Sequence, residues 1–74
     1  MNTDRLYEYR ILYKIKGSVN SSYHYYSAFN AEQALEFQIQ MAENKGWDLE
    51  LLAIEEKNPY SRKWEDRSEA LSSQ

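Results

Sequence analysis

The chain has 74 residues, 42% of them hydrophobic and 28% charged, with a formal net charge of −3 and no cysteine. That length holds one domain with a small core, and the missing cysteine excludes disulfide staples, a thiol nucleophile and cysteine-based metal sites. An acidic balance disfavours general binding to a phosphate backbone and favours a basic partner surface.

The residues after Met1 do not form the apolar core of a signal peptide, and no apolar run is long enough to span a membrane. A cytoplasmic protein without a membrane role is expected, and the absence of cysteine fits that reducing compartment. Charge is unevenly spread. Near the N-terminus Arg5, Arg10, Lys14 and Lys16 outweigh Asp4 and Glu8, whereas residues 32–57 hold seven acids against Lys45 and Lys57.

Tyr7, Tyr9, Ile11, Tyr13 and Ile15 alternate with Glu8, Arg10, Lys14 and Lys16. Alternation with a period of two predicts a strand from about Leu6 to Lys16 with one large-residue face. Gly17–Ser22 supplies turn residues, and a second strand is expected from about Tyr23 to Phe29. Its Tyr23, Tyr25 and Phe29 are assigned to one face, and His24, Tyr26 and Ala28 to the other.

Asn30 is a helix N-cap, with Gln33 three residues on as in a capping box and Glu32 placed for the helix dipole. The helix is expected to run to about Lys45 and to end at Gly46. Phe37, Met41, Ala34, Ala31, Ala42, Leu35 and Ile39 form its apolar arc, and Gln38 interrupts that arc. A Gln38 reaching the helix edge or a strand carbonyl is the preferred reading, because an unpaired buried amide costs about 1–3 kcal/mol.

A third strand is expected from about Asp48 to Lys57, with apolar residues on both faces. Beyond Asn58-Pro59, the spacing of Tyr60, Trp64 and Leu71 suggests a short or frayed helix followed by a disordered Ser72–Gln74 end. The chain thus divides into a 1–58 β-β-α-β domain and a 59–74 helical or flexible tail.

The fold class predicted is α+β: a three-stranded antiparallel or mixed sheet of order 2-1-3, with one helix on one face and a short C-terminal helix or tail. The helix covers the face of Tyr7, Tyr9, Ile11, Tyr13, Ile15, Tyr23, Tyr25 and Phe29, joined by Leu49 and Leu51. The opposite face carries Leu6, Leu12, Tyr26, Ala28, Leu52 and Ile54 with Glu8, Arg10 and His24. One helix cannot cover both sides. The open face therefore calls for the folded-back tail, a second copy or a larger partner.

Chemistry is sparse. His24 is the only histidine and has no cysteine or second histidine to complete a metal site. Gly17 and Gly46 have turn and cap roles, not those of a phosphate loop. No catalytic, cofactor-binding or metal-binding residues are assigned, and no enzyme activity is expected.

The segment Phe29-Asn30-Ala31-Glu32-Gln33-Ala34-Leu35-Glu36 resembles the helix start of many small β-β-α-β domains. The run Lys45-Gly46-Trp47-Asp48-Leu49-Glu50-Leu51 is similar to a Gly-Trp-acid-Leu junction in small bacterial and phage domains of unknown function. The resemblance covers about a third of the chain and implies a fold, with no site to carry over.

The leading expectation is a non-enzymatic regulator or inhibitor that docks on a larger protein. Its contacts would be Arg10, Leu12, His24, Tyr26, Leu52 and Ile54 on the open face, and Tyr60, Arg62 and Trp64 from the tail, a composition typical of binding hot spots. A homodimer is also open. Two alternatives stand beside it: a phage-encoded acidic decoy that opposes a bacterial defence nuclease, with carboxylates of the helix and the third strand mimicking phosphates and Glu32, Glu36 and Glu43 as the set whose neutralisation would abolish inhibition, and a weak RNA-binding module using the aromatic and basic hairpin.

Overall fold

A computed structural model describes residues 5–73. The Met1–Asp4 segment and Gln74, touched by the targeting and tail readings, lie outside the described residues.

The elements are β1 (Tyr7–Ile15), β2 (Ser21–Ala28), α1 (Ala31–Lys45), β3 (Leu49–Lys57), β4 (Trp64–Asp66) and a 3-10 helix (Ser68–Ser73). The protein is α+β, and its antiparallel sheet has the order β2-β1-β3-β4. The central position of β1 and the order of the first three strands match the sequence reading, and β4 extends the sheet.

The helix begins and ends where its capping residues require. Asn30 is extended and its Oδ1 accepts from the Gln33 N–H at 2.8 Å, while Gln33 Oε1 accepts from the Phe29 N–H at 2.8 Å. Gly46 adopts the left-handed conformation (φ 72°), and the Trp47 N–H closes back on the Ala42 carbonyl at 2.9 Å.

The phase of β2 is the reverse of the expected one. Tyr9 faces Tyr26 and Ile11 faces His24, whereas Arg10 faces Tyr25 and Leu12 faces Tyr23. Directly paired residues share a face. His24, Tyr26 and Ala28 therefore lie under the helix, and Tyr23 and Tyr25 lie on the open side. The cause is the hairpin: an even number of residues, Ile15–Asn20, separates the pair Lys14 and Ser21. One residue more or less would turn the whole strand over.

On the other side of β1, Leu12 pairs with Ala53 but Tyr13 pairs with Leu51. Leu52 is the extra residue of a β-bulge, and the bulge changes the phase of β3. Leu49 and Leu51 face the helix before it, and Ile54 faces the helix after it. Ile54 is fully buried, which corrects its assignment to the open face.

Large sheet residues meet small helix residues in the core. Tyr9 and Ile11 from β1 and Ile54 from β3 pack with Ala31, Ala34 and Leu35 of α1. Alanines let the helix approach tyrosines closely without leaving voids. Phe37, placed within the apolar arc from sequence, is 42% exposed on the helix flank, and Gln38 takes the buried position.

The segment after Asn58 is a hairpin, not a helix. Asn58 Oδ1 accepts from the Tyr60 and Ser61 N–H groups at 2.8 and 3.0 Å, and the Arg62 N–H reaches the Asn58 carbonyl at 2.9 Å. This side-chain turn returns the chain to pair β4 with β3. The following 3-10 helix crosses to the helix side, where Ala70 is buried and Leu71 packs on the core.

Tyr9 donates to Glu56 Oε1 at 3.1 Å, and Arg67 Nε meets the same carboxylate oxygen at 3.3 Å. Burial first, and the Glu56 hydrogen bond second, push the Tyr9 phenol well above its ordinary pKa. Its neutral form is thus favoured by folding, so this contribution is full below about pH 10 and is lost as pH rises beyond it. Tyr9→Phe should cost about 1 kcal/mol at neutral pH and flatten the alkaline decline, as measured by thermal melts across pH.

Candidate functional site

The open face is built by β1 and β3 as a ladder of cross-strand ion pairs. Glu8 meets Lys57 at 3.8 Å, Arg10 meets Glu55 at 2.6 Å, Lys14 meets Glu50 at 3.7 Å and Lys16 meets Asp48 at 3.7 Å. The bulge makes this set possible, because it brings Glu50 and Glu55 to the same side although their numbers differ in parity. Each exposed pair contributes well under about 1 kcal/mol. Together they cancel the formal charge of the two strands on this face.

Arg10 is held most firmly. Its guanidinium carbon lies 4.6 Å from the Tyr23 ring centroid and 4.4 Å from that of Trp64. The Glu55 hydrogen bond, at 2.6 Å, is the main factor raising its pKa above the ordinary arginine value. Lys57 approaches Trp64 at 5.8 Å, and Tyr25 packs against the Trp64 ring edge to face at 6.0 Å between centroids. The result is a pre-ordered patch of Tyr23, Tyr25, Trp64 and Arg10, bordered by Leu12 and Leu52. Tyr25 is 63% exposed, Leu52 41% and Tyr23 40%.

Of the residues assigned to partner contact from sequence, Arg10, Leu12, Leu52 and Trp64 come together here. Tyr60 and Arg62 lie at the β3–β4 hairpin tip, where Arg62 adopts a positive φ of 66°. His24, Tyr26 and Ile54 lie on the opposite side of the sheet, for the reasons of phase given above. Tyr23 and Tyr25 were missed as open-face residues. The parity of the β1–β2 loop was the signal that could have found them, since both faces of β2 are about equally aromatic.

The displaced residues form a separate polar cluster beneath α1. Tyr13 Oη lies 3.3 Å from His24 Nε2, His24 Nδ1 lies 3.0 Å from Gln38 Oε1, and the Tyr26 hydroxyl donates to the same amide oxygen. With the Nδ1–H tautomer of His24, Tyr13 donates to Nε2 and Gln38 Oε1 accepts from both His24 and Tyr26. Burial above all raises the Tyr26 pKa, which keeps it a donor. Gln38 is fully buried, so the expectation that it reaches the helix edge is corrected; its Nε2 has no partner. The cluster pins the orientation of α1 on the strand it covers.

Among the described residues, no group of three or more His, Cys, Asp and Glu side chains converges to hold a metal ion. No helix among them is long and apolar enough to cross a membrane. Comparison with family models, curated proteins and solved structures found no match.

Gln38→Leu removes the shared acceptor and leaves the His24 and Tyr26 donors facing hydrocarbon. It should destabilise by about 2 kcal/mol despite the added apolar surface, read as a fall in denaturation midpoint.

Proposed function

We propose that this chain is a non-enzymatic binding protein, a small regulator or inhibitor that docks on a larger protein through its open sheet face. The observation that carries this reading is the Arg10 cluster. Tyrosine, tryptophan and arginine are the residues that dominate binding energy at protein interfaces. Here the tyrosines are exposed, Arg10 and Trp64 are half-buried beside them, and all four are already ordered, so little side-chain entropy remains to be lost on docking. The neutralised ladder around them suits a partner that presents an apolar ridge with a polar rim.

Stacking of single-stranded RNA on Tyr23 and Tyr25 is the second reading, favoured by their exposure beside Arg10 and Lys14. It is weakened by the pairing of Arg10, Lys14, Lys16 and Lys57 with acids of the same face. Phosphates would have to displace those acids. The acidic-decoy reading rests on Glu32, Glu36 and Glu43, which are exposed on α1, away from the aromatic patch.

Capture from a lysate of the source cells with the tagged chain, with and without nuclease, separates these readings. A protein should be retained after nuclease treatment. Tyr25→Ala, which removes an exposed ring, should weaken its binding by about 2 kcal/mol, about thirtyfold. Capture lost with nuclease would transfer the role to RNA. Capture that survives Tyr25→Ala but fails when Glu32, Glu36 and Glu43 are changed to glutamine would transfer it to the acidic helix.

A further inference from the structure

The two edges of the sheet are treated very differently. The β4 edge has three residues, including Glu65 and Asp66, and is flanked by Lys63 and Arg67. Short length and charge are the usual means of blocking unwanted strand pairing. The β2 edge has neither. Its eight residues, Ser-Ser-Tyr-His-Tyr-Tyr-Ser-Ala, contain no lysine, arginine, carboxylate or proline, and half of them are aromatic. Along the described sheet, β2 pairs only with β1.

The near side of the helix above this edge carries no charge before Lys45 in its last turn, whose Nζ lies 5.3 Å from the Trp47 ring centroid. Phe37 packs against Tyr26 of β2 at 6.0 Å between ring centroids, which identifies the flank of α1 that overhangs β2. Gln33, Phe37, Met41 and Asn44 follow one another along that flank at helical spacing of three and four. Phe37 and Phe29 remain 42% and 48% exposed. Ile39 and Glu43 instead border a groove with Trp47, Leu49 and Leu51 on the β3 side. The carboxylates of α1 are thus kept off the β2 flank.

We propose that a second copy of this chain pairs with the β2 edge, β2 against β2 in antiparallel register about a two-fold axis, with the Phe37 flanks of the two α1 helices in contact. The choice of a second copy follows from charge. About a two-fold axis the residues at the centre of β2 meet their own counterparts and every other residue meets another of the same strand, so an edge charged with one sign would repel itself, whereas this one holds no lysine, arginine or carboxylate at any position that would be brought together. An uncharged strip of this extent is anomalous in a chain of which 28% is charged. Pairing would satisfy the outward backbone groups of β2 and cover Phe37. The sheet would continue from one copy into the next, placing two open faces on one side of the dimer.

Sedimentation velocity across a concentration series tests this directly. The wild-type chain should sediment as a dimer. Phe37→Glu and Ser27→Lys, both at exposed positions, should each weaken association by at least about tenfold while leaving the far-ultraviolet spectrum unchanged. Hydrogen exchange on the wild type supplies a readout independent of the variants, because β2 amides should become more protected as concentration rises. A monomer at all concentrations up to about 1 mM, a dimer that persists in either variant, or β2 exchange independent of concentration would overturn the proposal. Phe37→Glu leaves Tyr25 and Trp64 in place, so a monomeric variant that still captures the partner separates this edge from the open face.

Discussion

The bulge opposite Leu12 and Tyr13 is the constraint on which both faces of the sheet depend. β3 carries Leu49 and Leu51 before Leu52 and Ile54 after it, and no uniform alternation can turn all three inward. The extra residue changes the phase once, in the middle of the strand. Leu51 and Ile54 then both reach the helix side, while Glu50 and Glu55 both emerge beside bases of β1. Core and charge ladder both depend on the bulge setting that one residue, Leu52, outside the ladder.

The layer beneath the helix solves a different problem. A small domain buries a limited fraction of its surface and needs large side chains to do it. Tyrosine supplies area at the cost of a hydroxyl that must find a partner. Tyr9 finds Glu56, and Tyr13 and Tyr26 are joined through His24 and Gln38. Gln38 is therefore the polar centre of an aromatic core, and its burial follows from what the strand below presents. Because the hydroxyls of the core are satisfied internally, the tyrosines left outside, Tyr23 and Tyr25, stand out as surface available for contact.

Much of the fold was legible from residues whose conformational roles are local. Asn30, Gln33 and Gly46 marked the helix limits, and the alternation of Tyr7 to Ile15 marked the central strand. What could not be read was phase across longer distances. Both faces of β2 carry aromatics, so hydrophobicity could not choose between them, and only the parity of the connecting loop decides. The β3 bulge left a trace, apolar residues on both faces, that also suits a strand buried on both sides. At Asn58, a side chain capping its own turn produced a hairpin where the spacing of Tyr60, Trp64 and Leu71 suggested a helix. Arg10 and Leu12 were placed on the open face because β1 keeps its alternation, and Trp64 was assigned to contact from a helical tail although a strand, β4, brings it there, whereas His24, Tyr26 and Ile54 were misplaced by those two long-range effects.

The most direct test of this account is a comparison of thermal unfolding for Leu52→Ala and for a chain with Leu52 deleted. Leu52 is 41% exposed, so the substitution should cost less than about 1 kcal/mol and leave a cooperative melt. Deletion places Leu51 next to Ala53 and joins the Tyr13–Leu51 and Leu12–Ala53 pairs into one regular ladder, so Leu51 and Ile54 stay beneath the helix, Glu50 and Glu55 stay on the open face, and cooperative melting should persist. A deletion variant that loses cooperative melting would contradict the claim that Leu52 is the single residue that shifts the phase between the two halves of β3.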